Sequence, residues 1–232
     1  MKKNFTSKEV NTILELLDKE YPNAGCALKY GTKFQLLIAV VLSAQTTDIS
    51  VNKITPKLWK IYPDSRSLGD AKQSDVEKII KSIGLYRNKS KNIIGISKAL
   101  QERLVAMDEF LKIGYINSSD NKDGVPEEFD ELIKLPGVGR KTANVVLSEG
   151  FNKQTIAVDT HVQRVSNRIG LARSSDTYKT ETQLMTNIPE NMWTKAHHLL
   201  IFHGRNICKA RNPDCNKCPI INYCKFHNKN ND

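Results

Sequence analysis

Three groups of residues in this 232-residue chain have types and spacings that carry chemistry. The first is Leu135-Pro136-Gly137-Val138-Gly139-Arg140-Lys141-Thr142. Pro136 pushes the residue before it out of the α region and so ends an incoming helix. Gly137 and Gly139 permit a tight hairpin, and a helix opening there presents free N–H groups and the positive end of its dipole to an anion. Arg140 and Lys141 add charge, so a phosphate of a nucleic-acid backbone suits the turn. Lys141 reads in two ways, as a phosphate contact or as a nucleophile. An amine attacks carbon only when neutral, which requires burial or neighbouring cations to lower its pKa.

The second group is Asp159-Thr160-His161, at a junction between an extended run, Thr155–Val158, and a helix. Asp is a favoured N-cap. Thr160 and Gln163 also have capping-box spacing, which would leave Asp159 free just outside the helix. The third group is Cys208-x6-Cys215-x2-Cys218-x5-Cys224. Four closely spaced cysteines in a chain without a secretory leader read as metal ligands rather than disulfides. Thiolates suit zinc or an iron–sulfur cluster, and the spacing alone does not choose between them. Cys26 stands apart and reads as a small buried apolar residue.

Helices must place these groups. Thr6-Ser7-Lys8-Glu9 has capping-box form and precedes a face made by Val10, Ile13, Leu14 and Leu17. Phe34 to Leu42 is nearly all apolar and reads as a buried helix, ended by the polar turn Ser43–Asp48, which holds Gln45. Ser74-Asp75-Val76-Glu77 reads as a second capping box, opening a helix that stops at Gly84. Leu85 and Tyr86 then lie exposed in a loop, before a helix from Arg87 to about Leu104 whose open face is rich in Lys and Arg. A short helical turn over Met107, Phe110, Leu111 and Ile113 and a polar loop over 117–124 follow. Pro126 suits a first helical position, with Phe129, Leu132 and Ile133 turned to a core. Buried helices after the hairpin and after Asp159 end at Gly150 and Gly170, another starts at Asp176 or Thr177, and one runs from about Met192 to Arg205. No strand pairs or repeats are found, so the architecture is all-α, with a disordered tail over about 226–232.

Composition bounds the partner. There are 35 Lys and Arg against 25 Asp and Glu, a net charge of +10, which favours a polyanion. No apolar run approaches a membrane span. The stretch Met1-Lys2-Lys3-Asn4-Phe5 lacks the apolar core of a signal peptide, so the expected location is the cytoplasm of a bacterium or the nucleus of a eukaryote, with no secretion.

Leu135 to Ala143, Val158-Asp159-Thr160-His161, the four-cysteine spacing, Leu36 to Asp48 and Ile83-Gly84-Leu85-Tyr86 together resemble the helix-hairpin-helix DNA glycosylase superfamily, in its branch with a [4Fe–4S] loop. The resemblance runs from about Phe5 to Cys224. It implies two helical lobes with a cleft between them, one over residues 26–153 and one over 1–25 plus 154–232. It further implies that Lys141 attacks the sugar C1′ of a flipped, damaged nucleotide, that Asp159 assists, and that a Schiff base then permits strand cleavage 3′ to the lesion by β-elimination. Cys208, Cys215, Cys218 and Cys224 would hold the [4Fe–4S] cluster. Gln45, Leu85, Gly137, Val138, Gly139, Arg140 and His161 would meet double-stranded damaged DNA, Gln45 and Leu85 by filling the vacated position. Oxidised pyrimidines and abasic sites are the implied substrates, and a monomer without an obligate protein partner is expected.

One segment departs from the pattern: 105–124 is longer than the usual link before the hairpin. Two other functions compete. One is a monofunctional, adenine-type relative, which would lack a lysine at position 141. The other is a non-catalytic DNA-binding module with a zinc-bound tail.

Overall fold

The computed structural model describes residues 5–112 and 123–230. These form helices α1 (Ser7–Glu20), α2 (Lys33–Leu42), α3 (Asp48–Ile61), α4 (Ser65–Gly69), α5 (Gln73–Ile80), α6 (Tyr86–Lys112), α7 (Phe129–Leu132), α8 (Arg140–Phe151), α9 (Thr160–Ile169), α10 (Thr177–Asn187), α11 (Trp193–Asn206) and α12 (Lys225–Asn230). Short 3₁₀ turns occupy Glu190–Met192, Cys215–Lys217 and Ile221–Tyr223, and no strand occurs among the described residues. The all-α expectation is met. The chain divides into two compact units, Ala27–Asn152 and Met1–Cys26 with Lys153–Asp232.

The unit Ala27–Asn152 is built on α2. Phe34 and the seven successive residues Leu36 to Leu42 of this helix are buried, as a helix apolar on nearly every side must be. It packs against α3, α6 and α8. Its N-terminus is closed twice, once by Thr32 Oγ1 accepting from Gln35 N at 3.2 Å and once by Asp123 Oδ2 accepting from Phe34 N at 3.1 Å. The helix α6 lies against α4 and α5 and buries Ile93, Ile96 and Leu100.

In the other unit, the capping box read at Thr6 and Glu9 is present, and Val10, Ile13, Leu14 and Leu17 of α1 are buried. They share a core with Val162, Val165 and Ile169 of α9, Leu184 of α10, and Leu199 and Leu200 of α11. Gly204 allows α11 to approach α9 closely: a Cβ there would lie 3.0 Å from Val165 Cγ2 and 3.1 Å from His161 Cβ.

Several local expectations need correction. The box at Ser74 does not form; α5 starts at Gln73 after Lys72, without a side-chain cap. Ser74 is already inside the first turn, and Glu77 is taken by Gln73 Nε2 at 2.8 Å. Pro126 precedes α7, whose N-cap is Glu128, and Ile133 is 42% exposed. A helix of a single turn has room to bury only one of its residues, here Leu132. The backbone of α6 continues to Lys112, while Ile113 and the loop read over 117–122 lie outside the described residues. Residues 226–230 are not an irregular tail but part of α12. Lys225 Nζ sits 4.2 Å over the Phe5 ring and Phe226 lies under the Arg168 guanidinium at 4.9 Å, and these contacts hold the helix.

Candidate functional site

In the unit Ala27–Asn152, the hairpin between α7 and α8 is closed by backbone bonds Leu135 N to Leu132 O and Val138 N to Leu135 O, both at 3.1 Å. Gly137 has φ 73°, a left-handed conformation that a side chain resists. A Cβ there would also strike the Asn92 side chain, 2.7 Å from its Cγ. Gly95 of α6 makes the same kind of approach, since a Cβ on it would lie 3.2 Å from Pro136 Cγ. The turn is thus seated on α6. Gly139 is different. It is the N-cap of α8 in extended backbone, φ −95° and ψ 177°, with open space where a Cβ would be. Its role is to leave the first turn of α8 uncovered: no side chain caps this helix, so its leading N–H groups can meet an anion.

Arg140 and Lys141 are exposed in that first turn. The Arg140 guanidinium lies 4.7 Å from the centre of the Phe129 ring, which stiffens the hairpin across its two helices. Val138 is 6% exposed, so any contact it makes with a ligand runs through its backbone.

Gln45 and Leu85 stand in turns of the same unit, and both adopt left-handed backbone, with φ 53° and 58°. For residues with a Cβ this costs about 1–3 kcal/mol and persists only where surrounding structure enforces it. Leu85 is 55% exposed, and Gln45 is exposed beside Thr46 and the α3 N-cap Thr47. Beside the Gln45 turn lies Lys89 of α6, a residue missed in sequence: it is 4% exposed and its Nζ donates to Thr46 Oγ1 at 2.6 Å. Burial lowers its pKa. The sign of this was legible: position 89 falls on the same helical stripe as Ile93, Ile96 and Leu100.

In the second unit, Asp159 is not free outside α9. It is the N-cap, and its Oδ1 accepts from His161 N and Val162 N, each at 2.8 Å. The competing box fails because Gln163 Nε2 turns instead to Ser174 O at 2.6 Å. His161 Nδ1 pairs with Arg164 Nη2 at 3.2 Å. Arg164 in turn donates to Gly204 O and Cys208 O at 2.9 and 3.1 Å, tying α9 to α11 and to the start of the cysteine loop.

The four cysteines are partly buried and unpaired. Arg168 laces their loop to α9 by donating to Lys209 O, Ala210 O and Cys208 Sγ at 2.6, 2.9 and 3.5 Å. Arg164 and Arg168 were missed in sequence; two arginines one turn apart on the helix after Asp159 are the available sign. His203 bridges Tyr21 Oη at 3.2 Å and Cys218 Sγ at 3.5 Å. Burial pushes the Cys218 thiol up to about 11 and raises that of Cys215, with further upward pushes from the neighbouring cysteines. The four cysteine side chains therefore share one electrostatic neighbourhood, and holding Cys215 and Cys218 as thiolates calls for a cationic group beside them. Among the described residues, no group of three or more His, Cys, Asp or Glu side chains is placed to hold a metal ion.

An uncapped helix-hairpin-helix turn and a cysteine loop on an all-α frame define a class. A family model described as HhH-GPD superfamily base excision DNA repair protein matches residues 38–190, and the chain belongs to that superfamily. Within it, the chain is similar to endonuclease III. It is 48% identical to that of Rickettsia felis over 219 residues, covering 94% of this chain and 95% of the relative. It is 40% identical to that of Escherichia coli over 217 residues, with 94% and 95% covered. Among solved structures, it matches a trapped endonuclease III–DNA covalent intermediate with TM-score 0.85 and 41% identity, over 99% of this chain and 100% of that one. A thermostable thymine-DNA glycosylase, 21% identical with TM-score 0.79 over 97% and 100% of the two chains, shares the fold. No helix among the described residues is long and apolar enough to cross a membrane.

Proposed function

We propose that this protein is a bifunctional DNA glycosylase and abasic-site lyase of base excision repair, acting on double-stranded DNA with oxidised pyrimidines or abasic sites. The observation that carries it is the match, over nearly the whole chain, to an endonuclease III trapped covalently on DNA, since a covalent intermediate needs a nucleophile of the enzyme. Lys141 is the residue offered for that task. The hairpin binds backbone phosphate on the N–H groups of Gly139 and the first turn of α8, which brings the Lys141 amine to the sugar. Bound DNA would supply the desolvation that the exposed lysine lacks on its own. The amine attacks C1′, the bond from C1′ to the base breaks, and the base leaves with its electron pair. Asp159 stabilises the positive charge that develops on the sugar. The new C1′ ammonium gives up a proton, and the C1′–O4′ bond breaks as O4′ takes a proton and the sugar ring opens. The resulting iminium acidifies the C2′ proton, whose loss expels the 3′ phosphate.

Gln45 and Leu85 enter the duplex where the nucleotide has left. His161, fixed by Arg164, borders the Asp159 cap and belongs to the same DNA-facing set. Cys208, Cys215, Cys218 and Cys224 would hold a [4Fe–4S] cluster, which supplies rigidity to the loop and no bond-breaking chemistry. The protein works where the cell keeps its DNA.

The test is borohydride trapping on a duplex with thymine glycol or an abasic site. A covalent adduct is expected with the wild type and none with Lys141→Gln; a wild type that binds the duplex but forms no adduct would refute the assignment. For the cysteine loop, anaerobically isolated protein should show broad visible absorption and bound iron. A colourless protein carrying stoichiometric zinc would favour the DNA-binding module instead.

A further inference from the structure

Lys89 presents a problem that the proposed chemistry does not solve. A buried ammonium loses hydration that one hydroxyl partner restores only in part. Lys89 is 4% exposed, and its Nζ donates to Thr46 Oγ1 at 2.6 Å. Stability alone would favour an apolar residue on that stripe of α6. The surroundings suggest what the charge is for. Thr46 directly follows Gln45, and the Lys89 backbone N–H bonds to Leu85 O at 2.9 Å. One residue therefore joins the two turns, through its backbone N–H to the turn that holds Leu85 and through its side chain to the turn that holds Gln45. These two residues are left-handed without being glycine, and neither sequence nor intrinsic preference keeps them so.

We propose that Lys89 is a positioning residue for DNA insertion, a buried clamp that fixes the Gln45 turn against the Leu85 turn so that both side chains enter the duplex at a set spacing. This rests on the reading of Gln45 and Leu85 as the residues that fill the vacated position. The physical logic is that of preorganisation. Two separate loops must meet one gap in stacked DNA, and a gap that closes before both arrive returns the nucleotide to the stack. Holding the turns in advance removes the entropic cost of ordering them at that moment. A short hydrogen bond from an ammonium does this better than apolar packing, because it fixes distance and direction together.

The test uses full-length protein with its metal loop loaded and a duplex carrying thymine glycol, with 2-aminopurine as the opposing base. Insertion unstacks that base and raises its fluorescence. Lys89→Met keeps the shape of the stem and removes the charge. It is expected to abolish most of the fluorescence rise and to slow single-turnover excision by about tenfold or more. Cleavage of an abasic site in a single strand, where no gap needs filling, should stay within about twofold of wild type. Thr46→Val removes the acceptor alone and should act in the same direction, and adding it to Lys89→Met should bring no further loss, since both remove one interaction. It also serves as the reporter if Lys89→Met does not fold.

Leu85→Ala and Gln45→Ala run beside these variants. If they impair excision while Lys89→Met and Thr46→Val do not, the clamp is refuted and the reading of the turns stands. If neither turn variant matters, that reading fails and the clamp falls with it. Equal losses on duplex and single strand in Lys89→Met would mark a general structural role and overturn the proposal.

Discussion

Asp159 shows how one side chain serves two ends. As N-cap it satisfies two N–H groups of α9, and in the proposed mechanism its carboxylate also stabilises the reacting sugar. The two tasks separate by substitution. Asn caps a helix about as well as Asp, so Asp159→Asn should leave the melting temperature nearly unchanged while removing most base excision. Asp159→Ala should lose excision and also about 1 kcal/mol of stability by calorimetry. Excision that survives Asp159→Asn would remove the carboxylate from the mechanism. Sequence left open whether Asp159 or Thr160 begins the helix, because both fit local rules. The decision came from Ser174, eleven residues past Gln163, whose carbonyl draws Gln163 away from the reciprocal box. Lys89 was missed for a related reason: residue type points to solvent and helical position points inward, and position won.

At the scale of elements, α6 is the bed on which the hairpin is seated. Asn92 and Gly95 receive Gly137 and Pro136, so the turn is shaped by its neighbour as well as by its own glycines. Gly137→Ala meets both a left-handed φ and the Asn92 side chain. It is expected to cost about 1–3 kcal/mol in chemical denaturation and to weaken DNA binding. Asn92→Ala in the same chain should recover the steric part and not the backbone part; full recovery would mean that φ at 137 carries no strain. Long, strongly patterned helices such as α1, α2 and α9 were legible from apolar spacing and caps. The one-turn helix α4 was not, and α7 was read with too early a start, because five or four residues are too few to show a period and depend on what packs against them. For α12, the holding contacts come from Phe5 and Arg168, far away in sequence.

For the molecule as a whole, the excess of ten positive charges sets how binding answers to salt. Each phosphate neutralised releases condensed counterions, so the logarithm of affinity should fall linearly with the logarithm of salt. A fourfold rise in salt should cost roughly tenfold in affinity for every two phosphates contacted. Anisotropy titrations at several salt concentrations measure the slope, and a flat line would rule out phosphate contacts as the main source of affinity. The order of motifs along the chain was enough to place it in its superfamily. The lacing of the cysteine loop by Arg168 was not readable, because guanidinium bonds to three successive residues leave no periodic trace in sequence.

The closure of α2 by Asp123 has a practical side. Asp123 is fixed by its bond to Phe34 N, and Gly124 sits so close to Leu104 that a Cβ would come within 2.8 Å of its Cγ. On the other side, α6 carries the chain to Lys112. Both ends of 113–122 are thereby moored in one unit, away from Lys141 and the turns of Gln45 and Leu85 in sequence. With Lys112 and Asp123 both fixed within one unit, residues inserted between them leave the bonds that close α2 untouched, so an affinity tag or fluorophore placed there is expected to leave the melting temperature unchanged.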